Sequence, residues 1–194
     1  MKILVLSGSR NRQGKTARAI DSIIKGVIAA GGESECLFLT ELKLERCRQC
    51  EADGWGLCRK EGRCIIEDDF PSLVEKLKKS DVVVFANTVY FGDLTESMRG
   101  FLDRLRRIQF MRKDPVINQG MPAIGLCYAG GSGNGAPNCC AILDRILQTC
   151  GFDVVDMVPL RRQNLEAKMP SLEIIGKWLV TKPTSGPRFS PPGR

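Results

Sequence analysis

Residues 7 to 16 of the chain, Ser7-Gly8-Ser9-Arg10-Asn11-Arg12-Gln13-Gly14-Lys15-Thr16, are hydroxyls, amides, glycines and cations without one apolar side chain. Such a stretch suits an anion. Thr16 or Ser9 is placed to cap a helix starting here, whose first N–H groups and dipole favour negative charge. Ser9, Asn11 and Thr16 add neutral donors, and Arg10, Arg12 and Lys15 add charge, so a phosphate group fits. The bland alternative is a polar turn carrying solvated cations.

A nucleotide triphosphate loop is the sharper rival, because Gly14-Lys15-Thr16 matches the end of that motif. The motif also needs a glycine where this chain has Ser9. Two further stretches could hold a ligand. Asn87-Thr88-Val89-Tyr90-Phe91-Gly92-Asp93-Leu94 offers an aromatic shelf, and Ala129-Gly130-Gly131-Ser132-Gly133-Asn134-Gly135 is bare enough for close backbone approach. Core packing at a strand end is the alternative role for Tyr90 and Phe91.

A fourth group is Cys47, Cys50, Cys58 and Cys64, spaced C-x2-C-x7-C-x5-C within eighteen residues. Four thiolates so close in sequence can ligate zinc or an iron–sulfur cluster, or serve as structural or disulfide-forming thiols. The chain has nine cysteines and no histidine. That excludes the Ser-His and Cys-His nucleophilic pairs and His-ligated metals, and favours redox chemistry over hydrolysis. Cys36, Cys127, Cys139, Cys140 and Cys150 fall in predicted strands and helices, where a free cysteine is a small buried hydrophobe.

The elements that must position these stretches are legible from hydrophobic pattern. Continuous apolar runs predict buried strands at Lys2–Leu6, Cys36–Leu39, Asp81–Ala86, Pro122–Tyr128 and Val154–Leu160, with Asp156 facing out. Helical spacing predicts a helix from Thr16 to Ala30 ended by Gly31-Gly32, and one capped by Asp68 or Asp69. It predicts another buried through Met98, Phe101, Leu102, Leu105 and Ile108, and a fourth through Cys139, Ile142, Leu143, Ile146, Leu147 and Cys150. A short last helix is capped by Ser171. Strands alternating with helices give a doubly wound five-stranded parallel α/β sheet, with a cysteine-rich insertion at 46–66 after the second strand. Ligands bind such sheets beyond the carboxyl ends of the strands, where strand order reverses. The loops after strands one, three and four leave that edge. A phosphate seat, an aromatic shelf and a close backbone approach suit a flat heterocycle with one phosphate, a description met by flavin mononucleotide.

Length and charge narrow the class. With 194 residues, 43% of them hydrophobic, the chain suits one domain. That domain is predicted over residues 1–180, followed by a flexible tail at 181–194 rich in proline and glycine. The formal charge is +7, yet the cations are mixed with acids. Their densest run, Arg99 to Lys113, has little aromatic interleaving and reads as a solvated face or an attraction for phosphorylated small molecules, which argues against nucleic acid. No apolar stretch approaches the ~20 residues that span a bilayer, and the first residues read as a core strand rather than a leader. Both features predict a cytoplasmic protein without a membrane partner.

Ser7-Gly8-Ser9-Arg10 with Gly14-Lys15-Thr16, then Thr88-Val89-Tyr90-Phe91-Gly92 and Met98-Arg99-Gly100-Phe101-Leu102-Asp103-Arg104, resembles the flavodoxin-like NAD(P)H-dependent FMN reductases. The cysteine stretch followed by Ile65-Ile66-Glu67-Asp68-Asp69 is similar to the iron–sulfur flavoprotein branch, although Glu51 to Leu57 widens that branch's more compact cysteine motif by five residues. The resemblance covers roughly residues 1 to 160. It implies strand order 2-1-3-4-5, and an FMN phosphate held by Ser9, Arg10, Asn11, Gly14, Lys15 and Thr16. It further implies an isoalloxazine flanked by Thr88, Val89, Tyr90, Phe91 and Gly92 and closed on its other edge by Ala129, Gly130 and Gly131. NAD(P)H would be the electron donor and a flavin, quinone or similar small molecule the acceptor, in a homodimer or homotetramer. The alternative is an electron carrier between protein partners, with FMN and a [4Fe–4S] cluster on Cys47, Cys50, Cys58 and Cys64. A phosphate-binding regulatory module with a zinc-stabilised loop is a third class.

Overall fold

Apolar residues on both faces of the central strands dictate how the chain folds. A computed structural model describes residues 1–109 and 114–181. Five parallel strands, β1 (Lys2–Ser7), β2 (Glu33–Phe38), β3 (Val82–Thr88), β4 (Pro122–Ala129) and β5 (Asp153–Arg161), form one sheet in the order 2-1-3-4-5. Alternate residues feed two cores. Leu4, Leu6, Val83 and Phe85 pack under α3 (Phe70–Lys78), α4 (Glu96–Gln109) and α5 (Ala136–Thr149). Ile3, Val5, Val82 and Val84 pack under α1 (Lys15–Ala29) and α6 (Leu165–Thr181). The flavodoxin-like order expected from the resemblance is the one observed, and β1 lies between β2 and β3, so strand order reverses there.

The sheet edges depart from the sequence reading. β2 starts at Glu33, and only Phe38 within it is buried, because an edge strand has one neighbour and its face is only partly covered. At the other edge Asp156 is half-buried rather than outward, beside a register shift between Ala123 and Ile124 of β4. The last helix is also longer than expected. It runs through Ser171 from Leu165 and carries Pro170 inside it. Pro170 is exposed, so the carbonyl it leaves unbonded meets water, which lowers the cost of an interior proline. Tertiary contact supplies the rest. A Cβ added to Gly26 would lie 2.0 Å from the Glu173 carbonyl oxygen, and one on Gly176 would lie 2.0 Å from that of Ile23. Two glycines let α1 and α6 touch backbone to backbone.

Residues 42 to 69, between a 3-10 turn at Leu39–Glu41 and α3, hold one short helix, α2 (Leu57–Lys60). No helix among the described residues is long and apolar enough to cross a membrane. The predicted tail lies outside the described residues beyond Thr181.

Candidate functional site

The loop after β1 is folded by its own polar side chains. Ser7 Oγ accepts from the Ser9 N–H at 3.2 Å, Ser9 Oγ from the Asn11 N–H at 3.3 Å, and Asn11 Oδ1 from the Gln13 N–H at 2.9 Å. Each short side chain turns the backbone by two residues. The predicted cap is overturned, because the residue before the helix is Gly14 and no side chain caps it. Neither Ser9 nor Thr16 serves, since Thr16 is already inside the first turn. The open helix end keeps its first N–H groups for an incoming anion. Arg10 and Lys15 are exposed beside it, as is Asn11. Arg12 is drawn away, bonded through both nitrogens to Glu41 and lying 4.7 Å over the Phe38 ring.

Thr16 joins this loop to the next, its buried hydroxyl 2.9 Å from that of Thr88. Behind both stands Asn87, fully buried at the end of β3. Its Oδ1 accepts from the Thr95 N–H at 3.0 Å and hydroxyl at 3.1 Å, and its amide donates to the Thr88 carbonyl at 2.7 Å. Gly8 runs against the same group: a Cβ there would lie 2.4 Å from Thr95 Oγ1. Sequence reasoning assigned Asn87 and Thr95 no role. The only signal for them was a polar residue at the end of an apolar strand.

Past Asn87 the chain turns tightly. Tyr90 and Asp93 exchange backbone hydrogen bonds of 3.1 and 2.9 Å around Phe91 and Gly92, both at positive φ. Tyr90 is half exposed and Phe91 fully so, at 109% of its reference area. Phe91 therefore has no part in core packing within this chain. The Val89 N–H donates to the Tyr128 carbonyl at 2.8 Å, and Asn138 ties α5 to the Gly92 carbonyl at 3.0 Å. Residues 88–92 and 128–132, with Asn134 and Gly135, line one open cleft of about 630 Å³, within the range of small-molecule sites. Ala129, Gly130 and Gly131 form its far wall. The phosphate-like loop borders the cleft through the Thr16–Thr88 contact and does not line it.

The four cysteines meet at a second place. Cys47, Cys50, Cys58 and Cys64 all line one cavity of about 20 Å³, together with Leu57, Ile65, Ile66, Ile108, Arg104 and Arg107. Among the described residues no three Cys, Asp or Glu side chains are close enough to hold a single metal ion. The four cysteines share a lining without converging on a single point.

Arg104 corrects the reading of residues 99–113 as a solvated face, because its side chain is only 1% exposed. It grips Asp68, itself 3% exposed, through bonds of 2.5 and 2.9 Å, donates to the Glu45 carbonyl at 3.1 Å and lies 4.2 Å over the Phe70 ring. Asp68 also accepts from the N–H groups of Glu45 and Phe70. Burial favours the neutral acid, but these bonds outweigh it and hold the Asp68 carboxyl below the usual carboxylate range. Arg107 lies 4.3 Å over the Trp55 ring. The Nε atoms of Arg104 and Arg107 and the Arg107 Nη2 are buried without a hydrogen-bond partner among the described residues. Two other thiols, Cys36 and Cys150, lie away from this cavity. Burial first, then Asp21, pushes Cys36 up to about 11, and burial pushes Cys150 up to about 12, so neither is an available thiolate near neutral pH.

Comparison with known proteins agrees with this geometry. The chain matches the family described as NADPH-dependent FMN reductase over residues 1–162. It is 30% identical over 133 residues to an iron-sulfur flavoprotein of Methanocaldococcus jannaschii, covering 68% of this chain and 65% of that one. It is 30% identical over 136 residues to an iron-sulfur flavoprotein of Archaeoglobus fulgidus, covering 66% and 64%. Each match thus spans a little under two thirds of the relative's length. In fold, the chain is similar to an NAD(P)H:quinone oxidoreductase from Methanothermobacter marburgensis, with a TM-score of 0.68 at 17% identity over 92% of this chain and 96% of that one. It is also similar to an archaeal flavodoxin, with a TM-score of 0.59 at 13% identity over 93% and 96%. By its fold, its loops and the match over residues 1–162, the chain belongs to the NADPH-dependent FMN reductase family.

Proposed function

We propose that this chain is an FMN-dependent oxidoreductase that takes electrons from NAD(P)H and passes them to a small acceptor of the flavin or quinone class. The observation that carries this reading is the junction of an uncapped helix end with an open, backbone-rich cleft at the strand-order reversal. Ser9, Arg10, Asn11, Gly14, Lys15 and Thr16 would hold the phosphate. Thr88, Val89, Tyr90, Phe91 and Gly92 would flank the ring, with Ala129, Gly130 and Gly131 along its other edge. FMN supplies hydride acceptance at N5 and release of electrons singly or in pairs. The chain contributes position: Asn87 fixes the loop after β3, and Thr16 registers that loop against the phosphate seat. Backbone N–H groups of the two cleft loops, other than those of Val89 and Tyr90 that are bonded within the chain, are the donors for a ring that gains negative charge. No imidazole is required, in keeping with a histidine-free chain.

The four-cysteine cavity supports a second cofactor, a [4Fe–4S] cluster, over zinc. Four cysteines sharing one lining with two arginines suit an anionic cluster, whereas a single tetrahedral ion needs ligands converging on a point. A cubane is larger than the present 20 Å³, so loading entails an outward shift of residues 47–64, which belong to turns and one four-residue helix. Cytoplasmic placement suits nine free thiols. A homodimer or homotetramer would give the bare Phe91 a cover.

Purification without oxygen, followed by flavin, iron and sulfide analysis, tests the reading. FMN that is bleached rapidly by NADPH supports the reductase. Flavin plus a broad brown shoulder from iron–thiolate charge transfer, with no response to NADH or NADPH, supports the electron carrier instead. A colourless protein that does not take up FMN rules out both.

A further inference from the structure

Arg104 and Arg107 stand three residues apart on α4, hence on one face, and both line the cysteine cavity. Their commitments differ. Arg104 spends both terminal nitrogens on Asp68 and keeps its Nε unpartnered, while Arg107 keeps Nε and Nη2 unpartnered among the described residues. Leaving a buried charged donor unsatisfied is costly, so three such donors on one wall mark a place prepared for an acceptor. Asp68, the buried carboxylate nearest this wall, is already consumed by Arg104. What else the wall offers is sulfur: Cys47, Cys50, Cys58 and Cys64. Arg48, Gly54, Leu57, Ile65, Ile66 and Ile108 complete the lining; Cys50 and Ile65 reach the surface, while the wall formed by Arg104 and Ile108 is buried, so charge acts most strongly at that inner wall.

We propose that Arg107, assisted by Arg104, donates hydrogen bonds to the sulfurs of the cluster held by these four cysteines and so raises its reduction potential. This rests on the cluster reading above. The cluster takes up one electron and no atoms, gaining one negative charge; a fixed cation beside it stabilises the reduced form, and outer-shell donors to sulfur act in the same direction. Trp55 is part of the device. Its ring, with Arg107 on it at 4.3 Å and Arg59 at 5.5 Å, steers a flexible side chain into one orientation.

The test uses the full chain, reconstituted anaerobically with ferrous iron and sulfide and reduced stepwise with dithionite while the paramagnetic signal is followed. Arg107→Met keeps a stem to pack on Trp55 and removes donors and charge. At the wild-type midpoint it should lower the ratio of reduced to oxidised cluster about tenfold, which is 59 mV for a one-electron couple, with iron content unchanged. Arg107→Lys, which keeps charge without the planar fork, should fall about threefold. An Arg107→Met protein that holds iron and titrates with the wild type overturns the inference and leaves the cluster reading standing. If the methionine variant does not load, the lysine variant decides: a lowered potential supports the inference and an unchanged one overturns it. Wild-type protein that incorporates no iron and sulfide overturns the cluster reading, and this inference with it.

Discussion

Two regions of the molecule are built to hold something, and they are held in place by different means. The cleft after β3 and β4, bordered by the loop after β1, is an extension of the sheet: its loops begin where registered strands end, and buried Asn87 locks one of them through three atoms of its neighbours. The cysteine cavity lies off the sheet, on a connection with one four-residue helix, and it is fastened to the core by packing of Leu44, Cys58 and Cys64 and, at its buried centre, by the side-chain pair Arg104 with Asp68. The two share α4. Asp93 and Arg99 pair near its start at 2.6 Å, and Arg107 is eight residues beyond Arg99, about 12 Å along the helix. A site made from strand ends is inherited from the fold, whereas a site made from a loop depends on the few side chains that fasten it.

The largest expected effect therefore comes from unfastening the loop. Asp68→Asn leaves the Arg104 guanidinium buried without its counter-charge, and losing one partner of a buried pair costs about 3–5 kcal/mol. The denaturation midpoint should fall accordingly, and the cysteines should lose iron loading before FMN is lost. The pH dependence has a definite sign. Because the folded carboxyl is held below its ordinary range, its contribution is complete above that range and disappears as pH falls through the depressed value. Wild type should lose this stability in acid, and Asp68→Asn should lack that limb. Equal loss of FMN and iron would erase the distinction between the two regions.

The same contrast explains what could be read in advance. Strands one, three and four were legible because both faces of a central strand are covered, so their apolar runs are unbroken. The polar run 7–16 marked the strand-to-helix turn, but not that Gly8, Ser9 and Thr16 are engaged with Thr95, Asn11 and Thr88, since those partners are set by folding. The edge strand β2 was misjudged because burial there depends on a neighbour that does not exist. Ser171 was read as a cap, and only the close approach of Gly26 to the Glu173 carbonyl and of Gly176 to the Ile23 carbonyl reveals why the helix continues. The spacing of the four cysteines indicated a common site, but nothing in the run Arg99–Lys113 separates the buried Arg104 from the half-buried Arg99, Arg106 and Arg107. Its partner Asp68 is 36 residues away, and such pairings are set by tertiary structure.

A smaller effect is expected at the phosphate seat. Ser9→Ala with Thr16→Val removes the hydroxyl that turns the loop and the one that meets Thr88. At about 0.5–1.5 kcal/mol for each hydrogen bond lost, the FMN dissociation constant should rise roughly tenfold. Arg12→Ala sharpens the result, since that cation is turned to Glu41 and should change FMN affinity less than about twofold. If Arg12→Ala weakens binding as much as the double variant, the anion sits further out than the open end of α1.

The smallest effect is expected at Phe91, whose backbone is in the left-handed region at φ 50° while its side chain is fully exposed. Holding a non-glycine residue there costs about 1 kcal/mol, and no burial within the chain offsets it. Phe91→Gly relieves that cost and adds unfolded-state entropy of about 0.5–1 kcal/mol, so thermal stability of the FMN-free protein should be unchanged or slightly raised. Affinity for FMN, or its rate of reduction by NADPH, should fall if the ring covers the flavin. Strain kept without a packing gain is the mark of a residue retained for a ligand or a second copy of the chain. The apoprotein separates these two: a loss of stability above 1 kcal/mol that grows on dilution places Phe91 in a contact between copies, and an unchanged melt with weakened flavin binding places it over the ring.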